Sequence, residues 1–201
     1  MSATRQEKRP LVLAVFLVVA GAIGFGAAWA LTLDKFALLE NPDAQLTCDV
    51  SVLVGCSKNL NSAAGALFGF PNPLIGIVGW TAVIAVGVSL LAGARFARWF
   101  WMLFNLGIVG ALAFVIYLIT QSVTTVHSLC PWCMVTWSVT IPVFWAVTLY
   151  SLKSGVVPLP DRGRRIAGTL YSWVPIITLV SYAVVAIVAQ VQLDWLHTAF
   201  R

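Results

Sequence analysis

Charge is scarce in this 201-residue chain: Asp, Glu, Lys and Arg together make up 9% of it. A soluble domain carries about 25% charged residues, so a water-soluble globule is excluded. The 12 basic residues outnumber the 7 acidic ones, but they are scattered and form no stripe of the kind that grips nucleic acid. No segment recurs at a fixed spacing of about 20 to 50 residues, which excludes a solenoid. What is present is apolar: 60% of residues are hydrophobic and the mean hydropathy is +0.93. The composition is that of an integral membrane protein.

Residues 11–33 are 23 consecutive uncharged, mostly apolar positions. At about 1.5 Å per residue they reach roughly 34 Å, enough for a hydrocarbon core of about 30 Å. The run is too long for a cleaved secretory signal and is read as retained. Four further runs, at about residues 73–92, 99–120, 134–152 and 173–193, contain no Asp, Glu, Lys, Arg or His. Backbone polar groups in lipid must be satisfied within each segment, so these five runs predict five transmembrane helices in one all-α membrane domain over residues 1–201.

Five spans put the termini on opposite sides, and the Lys/Arg distribution orients them. With the N-terminus in the cytoplasm, nine of the 12 basic residues lie inside; only Lys35, Lys58 and Arg201 lie outside, together with five of the seven acids. The positive charge is therefore an orientation signal. Residues 34–72 and 121–133 fall on the outer face, and all four cysteines lie in those two segments. Outside the cytosol, paired thiols are expected to be oxidised or to cycle.

Cys130-Pro131-Trp132-Cys133 stands immediately before the fourth span. At a helix start, unpaired N–H groups and the positive dipole end stabilise a thiolate, and Pro131 suits the first turn. Cys130 is then at the rim of the bilayer and Cys133 one turn deeper. Cys48 and Cys56, with seven residues between them, form a looser pair able to exchange with an external dithiol and with the deeper pair. Two alternatives stand beside this relay. Both pairs can be structural staples, although a C-x-x-C disulfide is strained and reducible; or the four thiolates can bind metal, although a seven-residue gap does not match the usual two to four. Haem attachment is excluded, because Met134 rather than His follows the motif. His127 is read as a solvated loop residue. Exchange among four thiols only relocates a disulfide, so net oxidation needs an acceptor soluble in lipid, and a quinone is the natural one. Polar residues in spans tend to face an interior site; the candidates are Asn105, Tyr117, Thr136 and Ser138, with Asn72 at the mouth of span two. Trp80, Trp137 and Trp145 are deep enough to line a pocket, whereas Trp99, Trp101, Trp132, Trp173 and Trp195 are read as interfacial anchors.

The order Cys48-x7-Cys56, then Ser62, then GFPNPLIGIVGW from Gly69 to Trp80, then Cys130-Pro131-Trp132-Cys133 resembles the vitamin K epoxide reductase family in its bacterial disulfide-forming branch, over roughly residues 11–152. The resemblance implies a four-helix bundle around a quinone, menaquinone or ubiquinone, with a fifth helix outside it. It implies that Cys48 and Cys56 take electrons from a reduced partner and relay them to Cys130 and Cys133, with Cys133 beside the quinone. It further implies that Asn72 donates a hydrogen bond to a quinone oxygen and that Ser62 supports the redox centre. Phe68, Trp80 and Trp137 complete the expected pocket. The vertebrate branch has tyrosine where this chain has Trp137, a departure that removes a hydroxyl used in epoxide chemistry. No thioredoxin-like domain follows the fifth span here, so the implied donor is a separate thioredoxin-fold thiol oxidase outside the bacterial cytoplasmic membrane. Residues 62–70 are read as a short amphipathic helix over the bundle mouth, with Phe68 and Phe70 toward lipid or quinone. A vitamin K quinone or epoxide reductase, and a non-enzymatic membrane protein with structural disulfides, are the competing functions.

Overall fold

A computed structural model describes residues 10–51 and 53–193. The elements, in chain order, are α1 (Leu11–Glu40), α2 (Ser57–Asn61), a 3-10 turn (Ala63–Ala66), α3 (Pro73–Leu91), α4 (Arg98–Gln121), α5 (Pro131–Lys153), α6 (Asp161–Ser172) and α7 (Val174–Leu193). Five of them, α1, α3, α4 with its extension to Val126, α5 and α7, are long and apolar enough to cross a membrane.

Prolines start the spans. Pro10 precedes α1, Pro73 opens α3 and Pro131 opens α5, positions where a missing N–H leaves nothing unpaired. Burial then sorts the faces. In α1 the stripe Leu13, Leu17, Ala20, Gly24, Ala28 and Leu31 recurs at three- and four-residue steps and packs on α3 and α5. Small residues allow the closest approach: a Cβ on Gly24 would lie 2.2 Å from the Trp80 ring of α3, and one on Gly21 2.7 Å from Ile84. Gly21 and Gly24 of the first span thus serve an intramolecular contact.

α5 is the hub, touching α1, α4, α6 and α7. Among the described residues α3 packs mainly on α1 and α4 mainly on α5, and a cavity lined by both α3 and α4 lies between them. The bundle is therefore α1, α3, α4 and α5, with α7 lying outside against α5, as the family resemblance implies. On α4 and α7 large apolar side chains such as Leu106 and Val191 are exposed to the surrounding lipid.

Pro142 lies inside α5 and offers no N–H to the carbonyl of Ser138, four residues back. The Tyr182 hydroxyl of α7 donates to that carbonyl instead, and Trp145 Nε1 donates to Ser181 Oγ over 3.1 Å. The outer helix is thus attached where the proline opens the backbone. Tyr182→Phe is expected to lower stability by about 0.6 to 1.7 kcal/mol, the range of hydrogen bonds within membranes. Thermal unfolding in detergent measures it, and an unchanged midpoint would remove this bond from the account.

Four local expectations change. α1 runs seven residues past 33, to Glu40, with Lys35 satisfied by Leu60 O and Asn61 Oδ1; the segment between α1 and α3 is correspondingly shorter. Residues 62–70 do not form one helix: helical structure begins at Ser57, breaks at Ser62, whose extended backbone caps the 3-10 turn, and ends in a bend. α6 is an amphipathic helix between the last two spans that was not anticipated. Trp101 is buried against Phe104 and Tyr150 rather than interfacial, whereas Trp99 and Trp173 are exposed; Trp195 lies outside the described residues.

Candidate active site

The site is assembled where the loop after α1 meets the loop before α5. Val54 and Leu129 form a single parallel bridge: Leu129 N donates to Leu53 O over 2.8 Å and Gly55 N to Leu129 O over 2.9 Å. Asn59 of α2 extends the seam, donating to Ser128 O over 2.9 Å and accepting from Ser122 Oγ over 2.7 Å. Cys56 and Cys130 directly follow this seam in their respective loops, and both are completely buried. Their sulfurs lie 3.3 Å apart.

Cys48 and Cys56 are joined as a disulfide, while Cys130 and Cys133 are thiols. The structure thus holds the protein with the loop pair oxidised and the helix pair reduced. Cys130 caps α5, its Sγ accepting from the Cys133 N–H over 3.4 Å. A hydrogen bond from the Cys133 thiol, with the backbone N–H groups of Cys133 and Trp132, holds the Cys130 thiol below its ordinary pKa against the opposing effects of burial and of Asp34.

Two carboxylates absent from the sequence reading organise the loop pair. Asp49 Oδ1 accepts from Cys56 N over 2.7 Å and from Ser57 N over 3.1 Å, and its Oδ2 accepts from the Ser57 hydroxyl. Burial acts to raise the Asp49 pKa, but these bonds outweigh it and bring the carboxyl below the usual range. Asp34 Oδ2 lies 3.3 Å from Cys48 Sγ, placed to accept the thiol hydrogen when the disulfide opens. Ligand atoms of Asp34, Cys48 and Cys56 lie within 4.8 Å of one another, yet the two sulfurs are bonded to each other and are not thiolate ligands in this state. Neither carboxylate sits in a recognisable motif, and each is one of several charged residues in its segment, so the sequence carried no signal for either role.

Below the cysteines, a cavity of about 660 Å³ fills the gap between α3 and α4. Cys133 lines it, and so do Ser62, Phe68, Asn72, Trp80 and Trp137. Its walls are mainly aliphatic and aromatic; Phe68 and Phe114 stand 6.0 Å apart between ring centroids at the mouth. Asn72 is buried and committed in part to the loop: its Oδ1 accepts from Leu67 N over 3.1 Å and its Nδ2 donates to Ala64 O over 2.5 Å, which leaves one Nδ2 hydrogen. Ser62 Oγ donates to Asn59 O over 2.8 Å, so its hydroxyl braces α2. Of the other polar candidates only Thr136 lines the cavity. Asn105 accepts from Thr148 Oγ1 over 2.9 Å between α4 and α5, and Trp145 turns to α7. Asn59, Gln121 and Ser122, which the sequence reading passed over, also reach the cavity. His127 is exposed, in the left-handed region at φ 52°, where it reverses the chain into Ser128.

A volume of this size, with apolar and aromatic walls and few polar groups, suits a flat lipophilic ring. Phe68, Trp80 and Trp137 line it with aromatic rings, Asn72 with a side-chain amide and Cys133 with a thiol.

No curated protein matches the chain. The family model described as the vitamin K epoxide reductase family matches residues 15–148, a range that includes all four cysteines and every residue lining the cavity. With its helical bundle and its paired cysteines, the chain belongs to the vitamin K epoxide reductase family of membrane thiol oxidoreductases.

Proposed function

We propose that the protein oxidises a reduced thioredoxin-fold thiol oxidase on the outer face of the bacterial cytoplasmic membrane and passes the electrons to a membrane quinone, so generating disulfides. The observation that carries this reading is the 3.3 Å contact between Cys56 Sγ and Cys130 Sγ, with Cys133 lining the cavity one turn further along α5. Neither structural staples nor a metal site calls for a disulfide in contact with a buried free thiol.

The relay balances as follows. A partner dithiol reduces the Cys48–Cys56 disulfide and leaves oxidised; Cys48, the less buried of the two, is the sulfur it reaches. Cys56 then attacks Cys130 of a Cys130–Cys133 disulfide, giving a Cys56–Cys130 mixed disulfide and a Cys133 thiolate. Cys48 attacks Cys56, losing its proton to Asp34, and Cys130 departs as a thiolate. The helix N–H groups that depress the Cys130 pKa make it a good leaving group. The result is the arrangement seen in the structure, with both electrons on the Cys130–Cys133 pair. A bound quinone accepts two electrons and two protons. Phe68, Trp80 and Trp137 would hold its ring and Asn72 an oxygen.

Anaerobic reduction of a menaquinone analogue by the detergent-purified protein, with dithiothreitol or a reduced thioredoxin-fold protein as donor, tests this. Turnover is expected with both donors. Well-folded protein that leaves the analogue oxidised would overturn the reading.

The depressed Cys130 pKa also sets a pH dependence. The rate at which the Cys130 thiolate attacks Cys56 of the Cys48–Cys56 disulfide, the reverse of the relay step, should fall as pH drops through the Cys130 pKa, with a midpoint below that of an ordinary thiol. Because the Cys133 thiol is the chief cause, Cys133→Ala should move this midpoint upward, whereas Cys133→Ser, which keeps a donor, should move it less. Quenched-flow alkylation read by mass spectrometry follows the exchange; identical midpoints in the two variants would rule out the hydrogen bond as the cause.

A further inference from the structure

A second cavity, of about 580 Å³, opens at the end of the bundle opposite the cysteines. One wall is cationic. Lys153 Nζ, at the end of α5, is held 3.2 Å from the centroid of the Tyr171 ring and 5.6 Å from that of Tyr150, an attraction that fixes the ammonium without neutralising it. Arg164 of α6 lies over the turn that follows α5. Gly155 in that turn has φ +76°, and a Cβ there would stand 2.7 Å from the Arg164 guanidinium, so glycine is required for this placement. The first turn of α1 forms the facing wall, with no side chain capping its N-terminus. Among the described residues no acid lines the cavity, and the only acid at this end is Asp161, which begins α6 outside it. The rim is apolar and open on the α1 side, where Leu11 and Val12 line the cavity and both are exposed, Val12 at 83%.

A cationic wall with an apolar, lipid-facing rim matches one kind of molecule. We propose that this cavity binds the phosphodiester headgroup of an acidic phospholipid, with Lys153 and Arg164 against the phosphate and the acyl chains along Leu11, Val12 and α6. The amphipathic α6 then serves as the floor of a lipid site as well as a link between spans. Basic pockets between membrane helices recognise anionic headgroups by this chemistry. A free phosphate would use the cations but gain nothing from the rim.

The test uses the full-length protein, delipidated in a neutral detergent, with thermal unfolding and native mass spectrometry as readouts. Phosphatidylglycerol is compared with phosphatidylcholine and with inorganic phosphate at equal phosphate concentration. The expected result is a higher unfolding midpoint and a retained adduct with phosphatidylglycerol alone. Binding should weaken about tenfold or more in a Lys153→Ala, Arg164→Ala double variant, and to a lesser degree in Arg164→Gln, whose exposed side chain can be changed without disturbing the core. Arg162→Ala, an exposed residue that does not line the cavity, should bind as wild type. Equal stabilisation by phosphatidylcholine, equal binding of inorganic phosphate, or an Arg164→Gln protein that binds phosphatidylglycerol undiminished would each overturn the proposal.

Discussion

Cys133→Ala is expected to bring quinone reduction to background, a loss of about a thousandfold or more, the scale on which removal of a reacting nucleophile acts. It is the only one of the four cysteines that lines the α3/α4 cavity, so no other sulfur can take its place there. The variant should not be inert, however. Cys130 remains next to Cys56, and without Cys133 to compete for it, the Cys56–Cys130 mixed disulfide should build up with Cys48 released as a thiol. Alkylation under denaturing conditions followed by peptide mapping would show a linkage between residues 56 and 130 and a modified Cys48. Full turnover in this variant, or a Cys48–Cys56 bond that never exchanges, would show that the 3.3 Å contact is not a step in the reaction.

Gly24→Leu should have the largest effect of any substitution outside the cysteines. The new side chain would start 2.2 Å from the Trp80 ring, and Trp80 has the cavity on its other side. Two results are open to the molecule, separation of α1 from α3 or rotation of the indole into the cavity, and both remove catalytic geometry. Overpacking of this kind costs about 1 to 3 kcal/mol, and quinone reduction should fall by at least tenfold as the volume closes. Gly26→Leu is the matched control, since nothing lies within 4 Å of a Cβ there; it should leave stability within about 0.5 kcal/mol of wild type. If the two variants unfold and turn over alike, the contact between Gly24 and Trp80 has no bearing on the cavity.

Much of this was legible in the chain because the membrane imposes a strict code. Uncharged runs longer than the bilayer, a lopsided distribution of Lys and Arg, and cysteines confined to two loops are each visible without tertiary information. The residues that escaped are those whose roles depend on another part of the chain. Asp34 reads as the end of a span until α1 is seen to continue to Glu40 and carry it beside Cys48. Asp49 is an ordinary loop acid until its oxygens meet Cys56 and Ser57, seven and eight residues later. Asn105 shows the reverse: a polar residue in a span suggests an interior site, but its partner, Thr148, is in the neighbouring helix and not in the cavity. Trp101 near the end of α4 suggests an anchor, yet the local fold turns it inward onto Tyr150. In α6 the charges that remove the segment from a search for spans are also what make its amphipathic helix.

The seam at Val54 and Leu129 has a kinetic consequence. A sulfur held beside its target by two short stretches of backbone does not have to find it by diffusion; well-aligned intramolecular reactions behave as if the reactant were present at about 10⁵ M or more. Free thiols in the surroundings could not rival such a neighbour for Cys130. In the proposed relay, electrons would therefore be kept on one route by proximity. A single residue inserted between Leu129 and Cys130 would leave every reactive group intact and yet return the pair to open competition with the solvent.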